Sequence, residues 1–259
     1  MDWAEEWIAS IKLTSRDRLN SGAFWDDRAS NMKHRLPDKM TDDQLAIIKP
    51  EADQRIIEIG PGNGRLTIPL ARSSSEVTVV DPSPLMLRSL MDRSREEGLN
   101  NLRCVNDHWE HVDVATFGRC HKLVSSYSLF MYDVGEQMRR MGSVSDAVYL
   151  FVPADIRIPF AVQEIMFGRV MVERTDFEIL SGIARELGFK PRAYTEEYQE
   201  GDGFDSLETA IEYYLEFYNV PESKEEQVAE HLSSAIRTEG EKFVLSGTRN
   251  VGVIWWQKG

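Results

Sequence analysis

The sequence predicts an α/β fold built on a mainly parallel sheet with helices on both faces. Two observations carry that expectation. Short apolar runs alternate with helix-patterned segments along most of the chain. The first of these runs, RIIEI, leads straight into Gly60, Gly62 and Gly64, with Glu58 just ahead of them. Glycines carry an entropic cost, so three at alternate positions mark a place where main chain must approach something closely. At 259 residues the chain is long enough for one large domain with a smaller appended cap.

Each element follows from local pattern. Residues 2–13 place Trp3, Trp7, Ile8 and Ile11 on one helical face. FWDDRASNM (24–32) reads as a second short helix, and TDDQLAIIKP as a third, with Thr41 as cap and Pro50 closing it. These make residues 1–50 a helical cap that precedes the sheet. Strand 55–59 runs into the glycine loop, and a helix begins near Gly64, where Pro69 predicts a kink or an open start. EVTVVD is the second strand, and the next helix ends at Gly98. NLRCVND, HKLVSSYS and DAVYLFV are further strands, with EQMRRMG helical between the last two. TDFEILSGIARELGF is a helix stopped by Gly188, and a strand follows through 190–198. Residues 202–240 interrupt the alternation with two amphipathic helices split at Pro221, each with a capping-box pattern (Asp205 with Glu208, Ser223 with Glu226). NVGVIWWQKG closes as a strand. The cap and the hairpin are expected over the open end of the sheet.

Composition narrows the partners. Forty-three acids against 30 bases give a net charge of −13, which argues against nucleic acid as a partner. No apolar run approaches the roughly 18 residues of a membrane span, so no membrane partner is expected. The acidic start MDWAEEWIAS does not resemble a signal peptide. With only two cysteines, Cys104 and Cys120, at no metal-type spacing, the expected setting is reducing and cytoplasmic. No metal is predicted, and the oligomeric state is not encoded in any pattern found.

Ligands of open α/β sheets sit beyond the carboxyl ends of the strands, where strand order reverses. The glycine loop occupies such a position. Its spacing departs from the dinucleotide pattern, because Arg65 stands where a third dinucleotide glycine would be. That disfavours a nicotinamide-dependent oxidoreductase. Asp81 ends the second strand, where a carboxylate can accept both hydroxyls of a ribose; Asp-Pro-Ser is also good helix-capping chemistry. After the third strand, Asp107 offers an acceptor for an exocyclic amine, with His108 and Trp109 as an aromatic wall.

EIGPGNG, VTVVDPSPLML, NDHWE and the closing tryptophan-rich strand together resemble a class I S-adenosylmethionine-dependent methyltransferase. The resemblance implies a doubly wound, seven-stranded, mostly parallel sheet whose last strand is antiparallel, over residues 51–259, with 202–240 inserted. It implies S-adenosylmethionine as cofactor and S-adenosylhomocysteine as product. By the same resemblance Glu58, Gly60, Gly62 and Gly64 line the methionine and ribose, Asp81 takes the ribose hydroxyls, and Pro82 and Met86 lie near the adenine. Asp107 takes the adenine amine beside His108 or Trp109, and Ser126 and Tyr127 border the sulfonium and the substrate. FWDDRA resembles a helix that covers the cofactor, which brings in Trp25 and Arg28.

Aromatic faces favour a sulfonium, so Trp25, Tyr127 and Tyr132 are candidates beside it. No general base stands out among His34, His108, His111, His121 and His231, and no catalytic residue is assigned. SYSLFMYD lacks the Asn/Asp-Pro-Pro-aromatic signature of amide and adenine N-methylation. The expected acceptor is a small molecule. Arg157, Arg169, Phe160 and Phe167, within 153–170, point to apolar bulk and an acidic group on it. The rival reading is a non-catalytic adenosylmethionine-binding sensor or scaffold of the same fold.

Overall fold

A computed structural model describes residues 2–14, 16–29, 38–199, 203–245 and 248–258, apart from the side chains of Arg28, Asp38 and Glu239. The strands are β1 (Arg55–Ile59), β2 (Glu76–Val80), β3 (Leu102–Val105), β4 (Cys120–Ser126), β5 (Ser145–Pro153), β6 (Arg192–Gln199), β7 (Arg237–Glu239), β8 (Lys242–Val244) and β9 (Thr248–Gln257). Seven of them form one sheet in the order β3-β2-β1-β4-β5-β9-β6, and β7 and β8 pair as a separate hairpin. All pairings from β3 through β5 are parallel, whereas β9 runs antiparallel to both β5 and β6. This is the doubly wound sheet that the sequence predicts. β1 and β2 are buried beyond their first residue, as strands covered on both faces must be.

The helices are α1 (Trp3–Leu13), α2 (Gly22–Ala29), α3 (Asp38–Ile48), α4 (Thr67–Arg72), α5 (Pro84–Glu96), α6 (Val134–Val144), α7 (Phe160–Phe167), α8 (Asp176–Glu186), α9 (Leu207–Phe217) and α10 (Glu225–Ala235). One buried cluster, with Ile57, Leu123 and Leu150, fills one face of the sheet, and a second, with Ile56, Val77 and Val124, fills the other. A third joins α7, α9 and α10 through Ile158, Val162, Tyr214, Val228 and Leu232.

Several local expectations are corrected. α4 starts at Thr67 rather than near Gly64, because Gly60, Gly62 and Gly64 all have positive φ and cannot begin a right-handed helix. Pro69 then falls in the first turn, where no intrahelical donor is lost. α1 does not lie over the open end of the sheet. Its Trp3 ring covers Gly182 of α8 so closely that a Cβ there would come within 2.4 Å, and Trp7 Nε1 donates to the Met131 carbonyl at 2.8 Å. α3 likewise sends Met40 and Ile48 into the second core cluster. Of the N-terminal segments, the 3-10 turn Arg16–Asn20 and α2 reach the open end of the sheet. Segment 153–170 contains α7, ended by Gly168 in the left-handed region. The cap of α9 is Ser206, and α10 has no side-chain cap.

The excursion between β6 and β9 carries α9, α10 and the β7–β8 hairpin, and Phe204 bridges to Phe243 of that hairpin. Its two ends meet in register, Gln199 opposite Thr248.

Candidate functional site

β1 is flanked by β2 on one side and β4 on the other, so strand order reverses at its carboxyl end. There the chain turns through Gly60 at φ +64°, and a Cβ at this position would sit 2.3 Å from Ser128 Cβ. Ser128 Oγ in turn donates to the Ile59 carbonyl at 2.6 Å, which fastens the loop after β4 against the glycine turn. A cleft of about 190 Å³ opens over these backbones.

Two carboxylates are buried in its wall. Glu58 accepts from Thr67 Oγ1 at 2.6 Å, and burial pushes it up to about 7 against the pull of that hydrogen bond and of Arg65. Asp81 is pushed up to about 6, chiefly by burial, opposed by backbone N–H groups of Ser83 and Gly62. Ser83, not Asp81, caps α5 by accepting from Met86 N, with Pro84 at the first helical position. Asp81 Oδ1 accepts from Ser83 N at 2.9 Å and so orders the turn while lining the cleft.

The cleft gathers most of the residues that the sequence singles out: Trp25, Glu58, Gly60, Gly62, Asp81, Pro82, Met86, His108, Trp109, Ser126 and Tyr127 all line it. Four others stand elsewhere. Gly64 faces Leu90 and Ile68, where a Cβ would collide, so its role there is packing. Asp107 accepts from the N–H of His108 and faces His111, outside the cleft. Tyr132 is exposed and turned towards Asp17. Arg157 lines a different cavity. Arg28 lies on α2 with its side chain outside the described residues, as does all of His34.

Sequence reasoning missed Arg65, Glu110 and Phe130. Arg65 donates to Thr41 Oγ1, Gln44 Oε1 and Ser126 Oγ, each at 2.9 Å, and so ties α3 and the end of β4 to the glycine loop. Its place in a glycine motif was the available signal. Glu110 reaches the cleft because the chain makes a helical turn after β3, with His108 O accepting from His111 N. Trp109, Glu110 and Tyr127 each carry a buried polar atom (Nε1, Oε2 and Oη) with no hydrogen-bond partner among the described residues. A cleft whose lining residues hold such unmet donors and acceptors fits a polar ligand such as a nucleoside better than an apolar one.

A second cavity of about 600 Å³ lies beside the first, and Leu19, Trp25, Tyr127 and Phe130 belong to both linings. Phe204, Tyr213, Tyr214, Phe217, Tyr218 and Phe243, three of them on α9, supply its aromatic surface. The sequence placed that apolar bulk on Phe160 and Phe167; both are exposed on α7 and line neither cavity. Arg169 pairs with Met171 Sδ instead. Arg157 does line the larger cavity, held by Asp176 Oδ2 at 2.8 Å.

Comparison with known proteins agrees with this geometry. The methyltransferase-domain family model matches residues 56–144. The ribosomal RNA small subunit methyltransferase A of Desulforapulum autotrophicum is 31% identical over 84 residues, which are 32% of this chain and 29% of that relative. The chain thus matches under a third of the length of that curated relative. Among solved structures, the YcgJ protein of Bacillus subtilis superposes with a TM-score of 0.58 at 14% identity, covering 86% of this chain and 100% of that one. Magnesium protoporphyrin IX methyltransferase of Synechocystis, with bound S-adenosylhomocysteine, gives 0.54 at 12% identity over 93% and 97%. Residues 56–144 thus match a methyltransferase domain, and the chain that carries them has a Rossmann-like fold.

Proposed function

We propose that the protein transfers a methyl group from S-adenosylmethionine to a small-molecule acceptor enclosed in the larger cavity. The observation that carries this reading is the common wall: a nucleoside-sized cleft at the switch point shares Trp25, Tyr127 and Phe130 with an aromatic chamber of about 600 Å³. Small-molecule sites are commonly concave, largely apolar and of this size.

When bound, the cofactor supplies a methyl group already activated on a cationic sulfur. The protein's own residues bind, orient and exclude water. Asp81 would accept the ribose hydroxyls, and the bare backbone of Gly60 and Gly62 would lie along the amino-acid part. Pro82 and Met86 would flank the adenine beside His108 and Trp109, and Glu110, which lines the cleft as Asp107 does not, would take its amine. Trp25, Tyr127 and Phe130 present aromatic faces that favour a cation. Alignment of two reactants in one enclosed space supplies much of the acceleration in transfers of this kind.

The relatives that act on ribosomal RNA support a second reading, an RNA acceptor, and leave the sequence-based exclusion of nucleic acid without support. Their matched segments cover only 18–30% of their own length. The test is calorimetric titration with S-adenosylmethionine, followed by incubation of protein and methyl-labelled cofactor with a metabolite extract or with total RNA. Binding with label in the low-mass fraction is expected. Label in RNA selects the second reading, and binding without any transfer selects the sensor. Absence of cofactor binding ends all three.

A further inference from the structure

Tyr127 stands at the boundary of the two cavities in an unusual state. It is one of three non-glycine residues with positive φ among those described, at +58°. A bulky side chain is rarely left in that region unless its surroundings hold it there. Its N–H donates to the Phe151 carbonyl at 2.9 Å, which anchors the backbone at the end of β4. The residue lines both cavities, yet its hydroxyl is buried and has no protein hydrogen-bond partner among the described residues. A buried hydroxyl that no protein group satisfies is costly, and one that borders two cavities is open to a hydrogen bond from their contents.

Three of the four charges that act on the phenol are positive. Arg157 and Arg249 line the larger cavity and Arg65 lines the smaller, and all three act on the Tyr127 phenol. Asp155 opposes them, with both of its oxygens taken up by Asn250, from N and from Nδ2, at 2.7 Å. Asp176 offsets Arg157, but its Oδ2 is shared with Arg16 at 2.6 Å, so two guanidiniums face one carboxylate. Three guanidiniums, Arg65, Arg157 and Arg249, thus act on the Tyr127 phenol against the one carboxylate of Asp155.

Resting on the methyl-transfer reading above, we propose that the Tyr127 hydroxyl donates its hydrogen bond to an anionic oxygen of the acceptor, and that the acceptor is an aromatic or polycyclic molecule that reacts as this oxyanion. Burial pushes the Tyr127 phenol up to about 12, so at neutral pH it keeps its proton and serves as donor, not as base. An acceptor that arrives ionised needs no base. An oxygen lone pair forms the new C–O bond to the methyl carbon, the S–CH3 bond breaks, and its electron pair stays on sulfur. The negative charge of the oxygen and the positive charge of the sulfonium cancel, and no proton moves. Desolvation in an aromatic chamber raises the reactivity of such an oxyanion, while the arginines keep it ionised.

The test uses the full chain saturated with S-adenosylhomocysteine and two probes of one shape, 2-naphthoate and 2-naphthamide, in calorimetry at pH 7.5. Naphthoate is expected to bind at least tenfold more tightly than naphthamide. In Tyr127→Phe it should lose about tenfold in affinity, a charge-assisted hydrogen bond being the stronger kind. Naphthamide should lose less than threefold. As a second readout independent of the variant, 2-naphthol bound to the wild type should show the naphtholate absorbance band at a pH where free naphthol does not. Equal affinity for the two probes, no binding of either, or an unaltered naphthoate affinity in Tyr127→Phe overturns the proposal. Failure of the wild type to bind S-adenosylhomocysteine is a separate result, which overturns the methyltransferase reading and this inference with it.

Discussion

Asp26 Oδ1 accepts hydrogen bonds from the Ser83 hydroxyl at 2.6 Å and from Leu85 N at 3.0 Å, so α2 is bolted to the first turn of α5. Gly22 permits this approach, since a Cβ there would stand 2.3 Å from the Pro82 carbonyl oxygen. Trp25 on α2 forms part of the cleft wall, so the bolt sets the position of one side of the cleft. Asp26→Ala should cost about 1 kcal/mol of stability, as loss of a capping carboxylate does, and lower the melting temperature by roughly 3 °C. It should also weaken S-adenosylmethionine severalfold in calorimetry, whereas the exposed neighbour Asp27→Ala should change neither. Gly22→Ala is expected to repeat the binding loss.

Asp81→Ala should reduce S-adenosylmethionine affinity at least tenfold, about 1.4 kcal/mol. The pH dependence carries a sign. The protonated carboxyl accepts less well, and this group titrates near 6, so affinity should be full above that value and decline below it. A binding profile flat from pH 5 to 8 would remove Asp81 from the site.

Glu58 makes the opposite demand on the fold. Its pKa is raised to about 7 by burial, so its contribution to stability is fully present below the ordinary carboxylate range and is lost as pH rises through 7. Glu58→Gln, neutral throughout, should therefore melt higher than wild type at pH 8.5 by roughly 5 °C. The gain should shrink towards zero at pH 5. A constant difference across that interval would show that the carboxylate is not charged against its surroundings.

Gly60→Ala combines a left-handed φ with a Cβ placed 2.3 Å from Ser128 Cβ, and the neighbour cannot yield without breaking its hydrogen bond to Ile59. The loss of stability should exceed about 2 kcal/mol, and cofactor binding should vanish. Gly98→Ala is the control: φ is +68° there too, but a Cβ meets nothing within 4 Å. It should cost less and leave binding intact.

The sheet was legible because its strands are apolar runs and the glycine loop fixes where the first one ends. Asp81 could be placed for the same reason: a residue at a strand end has its position set by the ladder. Asp107 and Glu110 could not be told apart, since both follow β3 and only the turn at 108–112 decides which enters the cleft. The chamber was harder still. Its aromatic wall on α9 faces across the interior to residues after β5, and no spacing within either segment encodes that meeting. α1 looked like part of a lid because amphipathic helices report that they bury a face, but not against what. Trp3 over Gly182 supplies the answer only in three dimensions.

The excursion that walls the chamber leaves the sheet at Gln199 and re-enters opposite it at Thr248. A segment whose ends already touch can be exchanged or lengthened at little entropic expense, because closing the ring grows costlier only with the logarithm of its size. The α9 side of the chamber and the glycine-loop cleft thus lie on parts of one polypeptide that can change length independently. Descendants of this scaffold can remodel that side of the chamber by swapping a single cassette, with the sheet and its glycine turn untouched.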